Sequence, residues 1–90
     1  MTLVVIARVP VTGVTAFQRF EEIVLPLLQD HGGHLASRWR DAGGTLEVQL
    51  IEFSTRAALE AFRGDPRMEA ASPLLAESGA VLEITEVKPV

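Results

Sequence analysis

The sequence predicts one α+β domain in which four strands form an antiparallel sheet and helical segments connect them. The chain has 90 residues, too few for two ordinary domains. Four short runs bounded by breaking residues indicate strands, of which the second is weaker and more polar, and two longer segments repeat apolar residues at helical spacing. Their order is strand, helix, strand, strand, helix, strand. We therefore expect residues 1–90 to form a single ferredoxin-like βαββαβ domain.

Composition and charge limit the class of protein. Hydrophobic residues make up 48% of the chain, which is more apolar material than a small monomer easily buries. The net charge of −4 and the scattered basic residues argue against a nucleic-acid partner. The chain has no basic N-terminal region and no long apolar segment, so we expect a cytoplasmic protein without a membrane partner. The absence of cysteine excludes disulfides and thiolate chemistry.

The first predicted strand, residues 3–9, is apolar on both faces. It is closed by Pro10 and Gly13. One face carries Leu3, Val5, Ala7 and Val9. On the other face Val4 and Ile6 are interrupted only by Arg8. A strand of this kind belongs to a sheet that is covered on both sides.

Residues 15–31 form the first predicted helix. Thr15 is a candidate N-cap, and Gly32-Gly33 supplies the left-handed stop. The apolar stripe of this helix contains Phe17, Phe20, Val24, Leu27 and Leu28. Pro26 removes a helical hydrogen bond, so we expect a kink over residues 22–26 or two shorter helices.

Residues 34–41 and 45–53 form the second and third predicted strands, joined by a tight hairpin connection at residues 42–44. On the second strand we expect Leu35, Ser37 and Trp39 to share a face. On the third strand one face carries Leu46, Val48 and Leu50. The other face carries Glu47, Gln49, Ile51 and Phe53.

The second helical segment begins at Ser54, a candidate N-cap, and its first helix runs through residue 63. Asp65-Pro66 restarts it with a cap and a proline at the first helical position. A break is expected at Ser72-Pro73, and Gly79 ends the segment. Residues 80–87 form the fourth strand.

This order places both long helical segments on one face of the sheet and leaves the other face bare. A bare apolar sheet exceeds what a soluble monomer normally exposes. The simplest cover is a second copy of the same face, so we predict a homodimer.

Several segments of the chain are similar to one known superfamily. They are Val5-Ile6-Ala7-Arg8-Val9, Leu27-Leu28 ahead of His31-Gly32-Gly33, Ile51-Glu52-Phe53-Ser54, and Asp65-Pro66. The chain resembles the dimeric α+β barrel superfamily, and within it a branch of short bacterial proteins of unknown function related to the antibiotic-biosynthesis monooxygenases. The resemblance implies a homodimer whose two sheets face each other as a barrel, and, in enzymatic members, ligand clefts between sheet and helices.

The chain departs from that pattern in the residues that carry chemistry. Met68 stands where the branch commonly has an aromatic residue. The chain contains no Asn and no Tyr, which better-known relatives place around their substrates. These departures make an enzymatic function less expected without excluding it. We expect no cofactor.

Two histidines are candidate ligand residues. His31 and His34 form a His-x-x-His pair with Asp30 beside it, but Gly32-Gly33 makes its geometry loose. The simpler interpretation is that His31 caps a helix end and His34 begins a strand, so we expect no metal. One of them near a cleft remains a candidate general base.

Arg8, Trp39 and Phe20 complete the candidate ligand-binding set. Arg8 suits an acidic ligand because a guanidinium group matches a carboxylate. The competing interpretation pairs Arg8 with Glu47, Glu83 or Glu86. Trp39 can stack on a flat ligand, although packing or a dimer interface is its commoner role. Phe20 belongs to the apolar stripe, which is expected to be core; the alternative is that it also lines the predicted cleft.

Three functions remain open from the sequence. The first is a homodimer that binds a small apolar or aromatic molecule between sheet and helices. The second is a cofactor-independent monooxygenase-like enzyme acting on an aromatic substrate. The third is a non-catalytic structural or regulatory dimer. A pocket with convergent polar groups favours the first two, and a solid core favours the third.

Overall fold

A computed structural model describes all 90 residues and confirms the predicted fold class. Its strands are β1 (Thr2–Arg8), β2 (Gly33–Arg40), β3 (Leu46–Phe53) and β4 (Val81–Val87). They form one antiparallel sheet in the order β2-β3-β1-β4. The helices are α1 (Val14–Val24), α2 (Arg56–Arg63) and α3 (Pro66–Ser78), with 3-10 helices at Val11–Gly13 and Leu25–His31.

The apolar core lies between the sheet and the helices. The buried side chains of β1 are Leu3, Val5 and Ala7, as their alternation predicts. One part of the core is built from Leu3, Val5, Leu28, Ile51, Phe53 and Leu59. The other part is built from Ala7, Val9, Phe17, Phe20, Val24 and Ala71. The predicted stripe of the first helix is therefore core.

The break predicted before Pro26 is present. The α-helical geometry of α1 ends at Val24, and a 3-10 helix continues from Leu25 to His31. Pro26 has no N–H to bond the carbonyl of Glu22, so the regular pattern cannot continue through it. Gly32 then ends the segment at a φ of 67°, a conformation that glycine adopts readily.

The break predicted at Ser72-Pro73 is wrong, because α3 runs from Pro66 to Ser78 with Pro73 inside it. A proline at that position cannot bond the carbonyl of Glu69. The hydroxyl of Ser72 donates to this carbonyl oxygen at 2.7 Å. The serine thus compensates for the donor that its neighbour lacks, and the helix continues.

Two predicted caps are also wrong. Thr15 lies inside α1, whose N-cap position is held by Gly13 without a side-chain cap bond. The 3-10 turn at Val11–Gly13 leads directly into α1. Gly13 also packs so closely against α3 that a Cβ on it would lie 1.8 Å from the carbonyl oxygen of Ser78. In α2 the cap is Thr55 rather than Ser54, and its Oγ1 accepts from the Ala58 N–H at 3.0 Å.

A β-bulge in β2 reassigns the faces of that strand. Leu35 pairs with Ile51, but Ser37 pairs with Leu50, so one extra residue lies between them. Leu35 therefore shares the helix side with Ile51, while Ser37 and Trp39 turn to the other side. The expectation that all three share a face is wrong. As a consequence Arg38 and Arg40 turn towards the helices.

The sheet face away from the helices is open in the single chain. Its central positions are Val4 and Ile6 on β1 and Val48 and Leu50 on β3. At its margins Trp39, Leu46 and Val81 are 57%, 39% and 67% exposed. None of the helices is both long and apolar enough to cross a membrane.

Candidate functional site

Two carboxyl groups are buried between the sheet and α1. Glu21 projects from α1 and Glu47 from β3, and their side chains are only 3% and 1% exposed. Glu47 is buried because it lies on the helix side of β3, as the alternation of that strand predicts. Two carboxyl groups buried away from solvent are stable only if hydrogen bonds and positive charge lie nearby.

Two arginines from β2 supply the positive charge. Arg40 donates from Nε to Glu47 Oε1 at 2.7 Å, and Arg38 donates from Nε to Glu47 Oε2 at 3.2 Å. Their Nη2 atoms lie 3.3 and 3.2 Å from Glu21 Oε1. The β2–β3 register brings these groups together, because Arg40 pairs with Glu47 and Arg38 with Gln49.

Gln49 joins the two carboxyl groups to each other. Its Nε2 donates to Glu21 Oε2 at 2.8 Å and to Glu47 Oε2 at 2.5 Å. Every buried side-chain nitrogen and oxygen in the chain has a hydrogen-bond partner. The five side chains of Glu21, Arg38, Arg40, Glu47 and Gln49 are called the carboxylate cluster below.

The two carboxyl groups have opposite pKa shifts. Burial, with the hydrogen bond to Glu47 and its negative charge, raises the pKa of Glu21 to about 8. Burial also opposes ionisation of Glu47, but hydrogen bonds from Glu21, Gln49 and Arg40 outweigh it and lower its pKa to about 2. At neutral pH the pair therefore shares one proton, which Glu21 holds.

A groove opens beside this cluster. Its larger cleft has a volume of about 360 Å³ and is lined by Glu21, Glu22, Leu25, Pro26, Leu35 and Arg38. A smaller cleft of about 210 Å³ shares Leu25, Pro26 and Leu35 with it and extends to Gly33 and His34. The two clefts form one groove between β2 and the 3-10 helix at Leu25–His31. The middle of this groove is apolar and the end beside the cluster is charged.

The residues predicted from sequence do not form one site. His34 lies in the wall of the smaller cleft. Phe20 is buried in the core. Trp39 is on the open face of the sheet. Arg8 Nη1 lies 3.8 Å from Oε2 of Glu83, one of its three predicted partners, and both side chains are more than 60% exposed.

His31 belongs to a separate cluster at the ends of the helices. Its Nε2 lies 2.8 Å from Asp65 Oδ2, and Asp65 also accepts from the backbone N–H and the guanidinium of Arg67. These hydrogen bonds, from Arg67 first and His31 second, hold the pKa of Asp65 well below its usual range. Asp65 caps α3, as predicted, and links it to the 3-10 helix. No group of three or more His, Cys, Asp or Glu side chains is arranged to hold a metal ion.

Sequence reasoning missed most of the carboxylate cluster as a site. The available signal was a pair of polar residues, Glu47 and Gln49, on the same strand face as Ile51 and Phe53. The bulge that turns Arg38 towards them leaves no comparable signal in a single sequence. The role of Glu21 depends on α1 packing over that part of the sheet.

Comparison with known proteins confirms the fold. The sequence matches no family model, and no curated protein matches it. Solved structures do match over nearly their whole length. An antibiotic biosynthesis monooxygenase is 16% identical with a TM-score of 0.70, covering 99% of this chain and 100% of the other. A provisionally assigned antibiotic biosynthesis monooxygenase from Caulobacter crescentus is 15% identical with a TM-score of 0.69, covering 98% and 91%.

A third neighbour is a structural-genomics protein from Agrobacterium tumefaciens. It is 18% identical with a TM-score of 0.68, and the match covers 96% of this chain and 92% of the other. Identities this low establish shared architecture only. The chain has the ferredoxin-like α+β fold of the antibiotic biosynthesis monooxygenase-like proteins.

Proposed function

We propose that this protein binds a small, partly apolar molecule in the groove between the 3-10 helix and β2. The observation that carries the proposal is Glu21, a buried carboxyl group that holds a proton at neutral pH and lines the groove. A guanidinium group at the end of an apolar cleft is a donor for a ligand oxygen, and the neutral Glu21 beside it does not cancel its charge. Leu25, Pro26 and Leu35 supply a surface for a flat body.

The size of the groove supports a small ligand. Its larger cleft, about 360 Å³, lies at the lower end of the ~300–1,000 Å³ typical of ligand pockets. Convergent polar groups in such a pocket favour binding over a purely structural or regulatory role. The apolar molecule expected from sequence is thereby refined to one with an apolar body and a polar end.

Chemical-shift mapping tests this function directly. Naphthol, indole and naphthoate, titrated into labelled protein, are expected to shift the amides of Leu25, Leu35 and Arg38. Leu35→Trp fills the groove and should abolish the shifts. Val11→Trp, at a residue 81% exposed and outside the groove, is the matched control and should leave them intact. Shifts that are absent for all three probes, or that Leu35→Trp leaves unchanged, would contradict the proposal.

A second candidate function is a cofactor-independent monooxygenase-like reaction on a dihydroxy-aromatic substrate. The opposite pKa shifts of Glu21 and Glu47 favour it, because a base poised near pH 8 can take the proton of a ring hydroxyl. The neighbours named as monooxygenases raise this candidate by analogy of fold alone. The proton acceptor would be Glu21, since Trp39 and Arg8 lie on the open face.

Oxygen uptake with 1,4-dihydroxynaphthalene separates this candidate from simple binding. Glu21→Gln should lower the rate by at least about 100-fold, the usual contribution of a general base. Glu77→Gln, at an exposed carboxylate of α3, and Trp39→Ala, both outside the groove, should retain it. Wild-type uptake no faster than that of buffer would leave binding as the function.

We further propose that the open face of the sheet is covered by a second copy, as expected for a cytoplasmic homodimer. Four strands of seven to eight residues span about 19 by 23 Å at the usual strand spacing and rise. This flat area of about 440 Å² is roughly half of the ~800 Å² per partner of a standard interface, and side chains add to it. Sedimentation at micromolar concentration should give a dimer, and a monomer there would contradict this assembly.

A further inference from the structure

The charge balance of the carboxylate cluster specifies a ligand. With the proton on Glu21, the cluster contains two positive groups, Arg38 and Arg40, and one negative group, Glu47. The arginines are 38% and 35% exposed, whereas the carboxyl groups are almost fully buried. The unbalanced positive charge therefore lies on the arginine side, where solvent and ligand can reach it.

Arg38 connects this charge to the groove. It is the only member of the cluster besides Glu21 that lines the larger cleft. Its Nε and Nη2 are occupied by Glu47 and Glu21, but its Nη1 forms no hydrogen bond or ion pair within the chain. A guanidinium edge with one occupied and one free side is suited to a carboxylate.

We propose that the groove binds a planar organic carboxylate through Arg38, and that the anion binds only while Glu21 carries its proton. This inference rests on the proposed binding function and adds the charge of the ligand and its linkage to a proton. An ionised Glu21 beside Arg38 would cancel the positive charge and repel the anion. Binding above neutral pH is therefore accompanied by proton uptake by Glu21, about half a proton at pH 8 and approaching one proton at higher pH.

The groups around Glu21 support this linkage. Arg38 and Arg40 face it from β2, and Glu47 and Gln49 face it from β3. Glu22, on the same helix, lines the groove but is exposed, so solvent screens its charge. No other charged side chain pairs with Glu21. Glu21 changes charge between pH 7 and 9, because its pKa is near 8.

Calorimetry with matched probes tests the inference. The probes are benzoate, cinnamate and 1-naphthoate, each compared with its neutral amide. We expect at least one carboxylate to bind more than tenfold tighter than its amide at pH 7. Its Kd should rise about tenfold from pH 7 to pH 9, as one proton with a pKa near 8 requires. At pH 8 proton uptake should appear as a dependence of the binding enthalpy on the buffer.

Three variants make the test specific. Glu21→Gln keeps a neutral donor at the same place, so its Kd at pH 7 should stay within about threefold and should no longer change up to pH 9. Glu77→Gln, at an exposed carboxylate of α3 outside the groove, should retain the full pH dependence. Arg38→Met should remove the preference for carboxylate over amide. The N-terminal amine, which donates to the carbonyl of Phe53 at 2.8 Å, is common to wild type and variants.

The outcomes separate this inference from the function on which it rests. Amides that bind as tightly as carboxylates, or a pH dependence that survives Glu21→Gln, would overturn the anion inference and leave a binding groove. Failure of all three carboxylates to bind would overturn the inference. Failure of the naphthol and indole probes as well would overturn the proposed function.

Discussion

The two faces of β3 are opposite in character to those of an ordinary half-buried strand. On the side of the helices, Glu47 and Gln49 are buried. On the open side, Leu46, Val48 and Leu50 lie at the surface of the chain. Hydrophobicity alone would predict that the N-terminal half of β3 buries Leu46, Val48 and Leu50 and exposes Glu47 and Gln49. Ile51 and Phe53, on the same side as the buried polar pair, fix its actual orientation.

The buried polar residues on one face and the exposed apolar residues on the other require two different explanations. Buried polar groups cost free energy unless they are paired, so their presence under α1 calls for another explanation, and the proposed binding function offers one. Exposed apolar residues cost solubility unless they are covered, and a second copy would cover them. Substitutions on the two faces should therefore affect different properties of the protein.

The largest expected effect comes from a charge at the centre of the open face. Val48 lies between Ile6 on β1 and Trp39 on β2. Val48→Lys should weaken the dimer at least about a thousandfold, or about 4 kcal/mol, because the ammonium group would be desolvated in the interface. Sedimentation measures this. Glu52→Lys, at the margin of the same face, should weaken it less than about tenfold. Equal effects would place the interface elsewhere.

The next effect comes from opening the carboxylate cluster. Glu47→Ala leaves Arg38 and Arg40 without their main partner. The free energy of unfolding should fall by about 2 to 3 kcal/mol, less than for a fully buried pair because the arginines reach solvent. Urea denaturation measures the loss. Glu52→Ala, on the exposed side of the same strand, should change stability by no more than about 0.5 kcal/mol. A similar small change for Glu47→Ala would contradict the burial of the cluster.

A smaller effect distinguishes this cluster from the one around Asp65. Asp65→Ala removes the α3 cap and the partner of His31, and should cost about 1 to 2 kcal/mol. Asp30→Ala, which removes only an exposed contact to Arg67, should cost less than about 0.5 kcal/mol. Neither variant should change ligand affinity in the groove. A changed affinity in Asp65→Ala would show that His31 is a ligand residue after all.

The last effect is a slope of stability with pH rather than a single loss of stability. Because the pKa of Glu21 is raised from 4.5 to about 8, its contribution to stability is complete below pH 4.5 and is lost as the pH rises towards 8. Glu47, with its pKa lowered to about 2, loses its contribution only as the pH falls below 4.5 towards 2. The difference in unfolding free energy between wild type and Glu21→Gln should therefore change between pH 5 and 8. The limit for one proton is about 1.4 kcal/mol per pH unit. A constant difference would contradict the shift.

The sequence predicts the fold well because the fold depends on local patterns. The strand alternation in β1 and β3, the break before Pro26 and the Asp65 cap are all properties of short segments. The site was much less predictable, because it depends on contacts between segments. One extra residue in β2 turns Arg38 and Arg40 to the side of Glu47, and the packing of α1 brings Glu21 to them. The Ser72 hydroxyl, likewise, compensates for Pro73 in a way that pattern alone does not reveal.

The most direct test is the titration of the Glu21 side chain itself. Carbon-13 NMR of protein labelled at the glutamate carboxyl carbons, with the Glu21 resonance assigned from Glu21→Gln, follows this group from pH 4 to 10. A midpoint near 8 would agree with a carboxyl group that holds its proton in the groove at neutral pH. A midpoint near the ordinary value of 4.5 would contradict the charge balance on which both the groove and its anionic ligand depend.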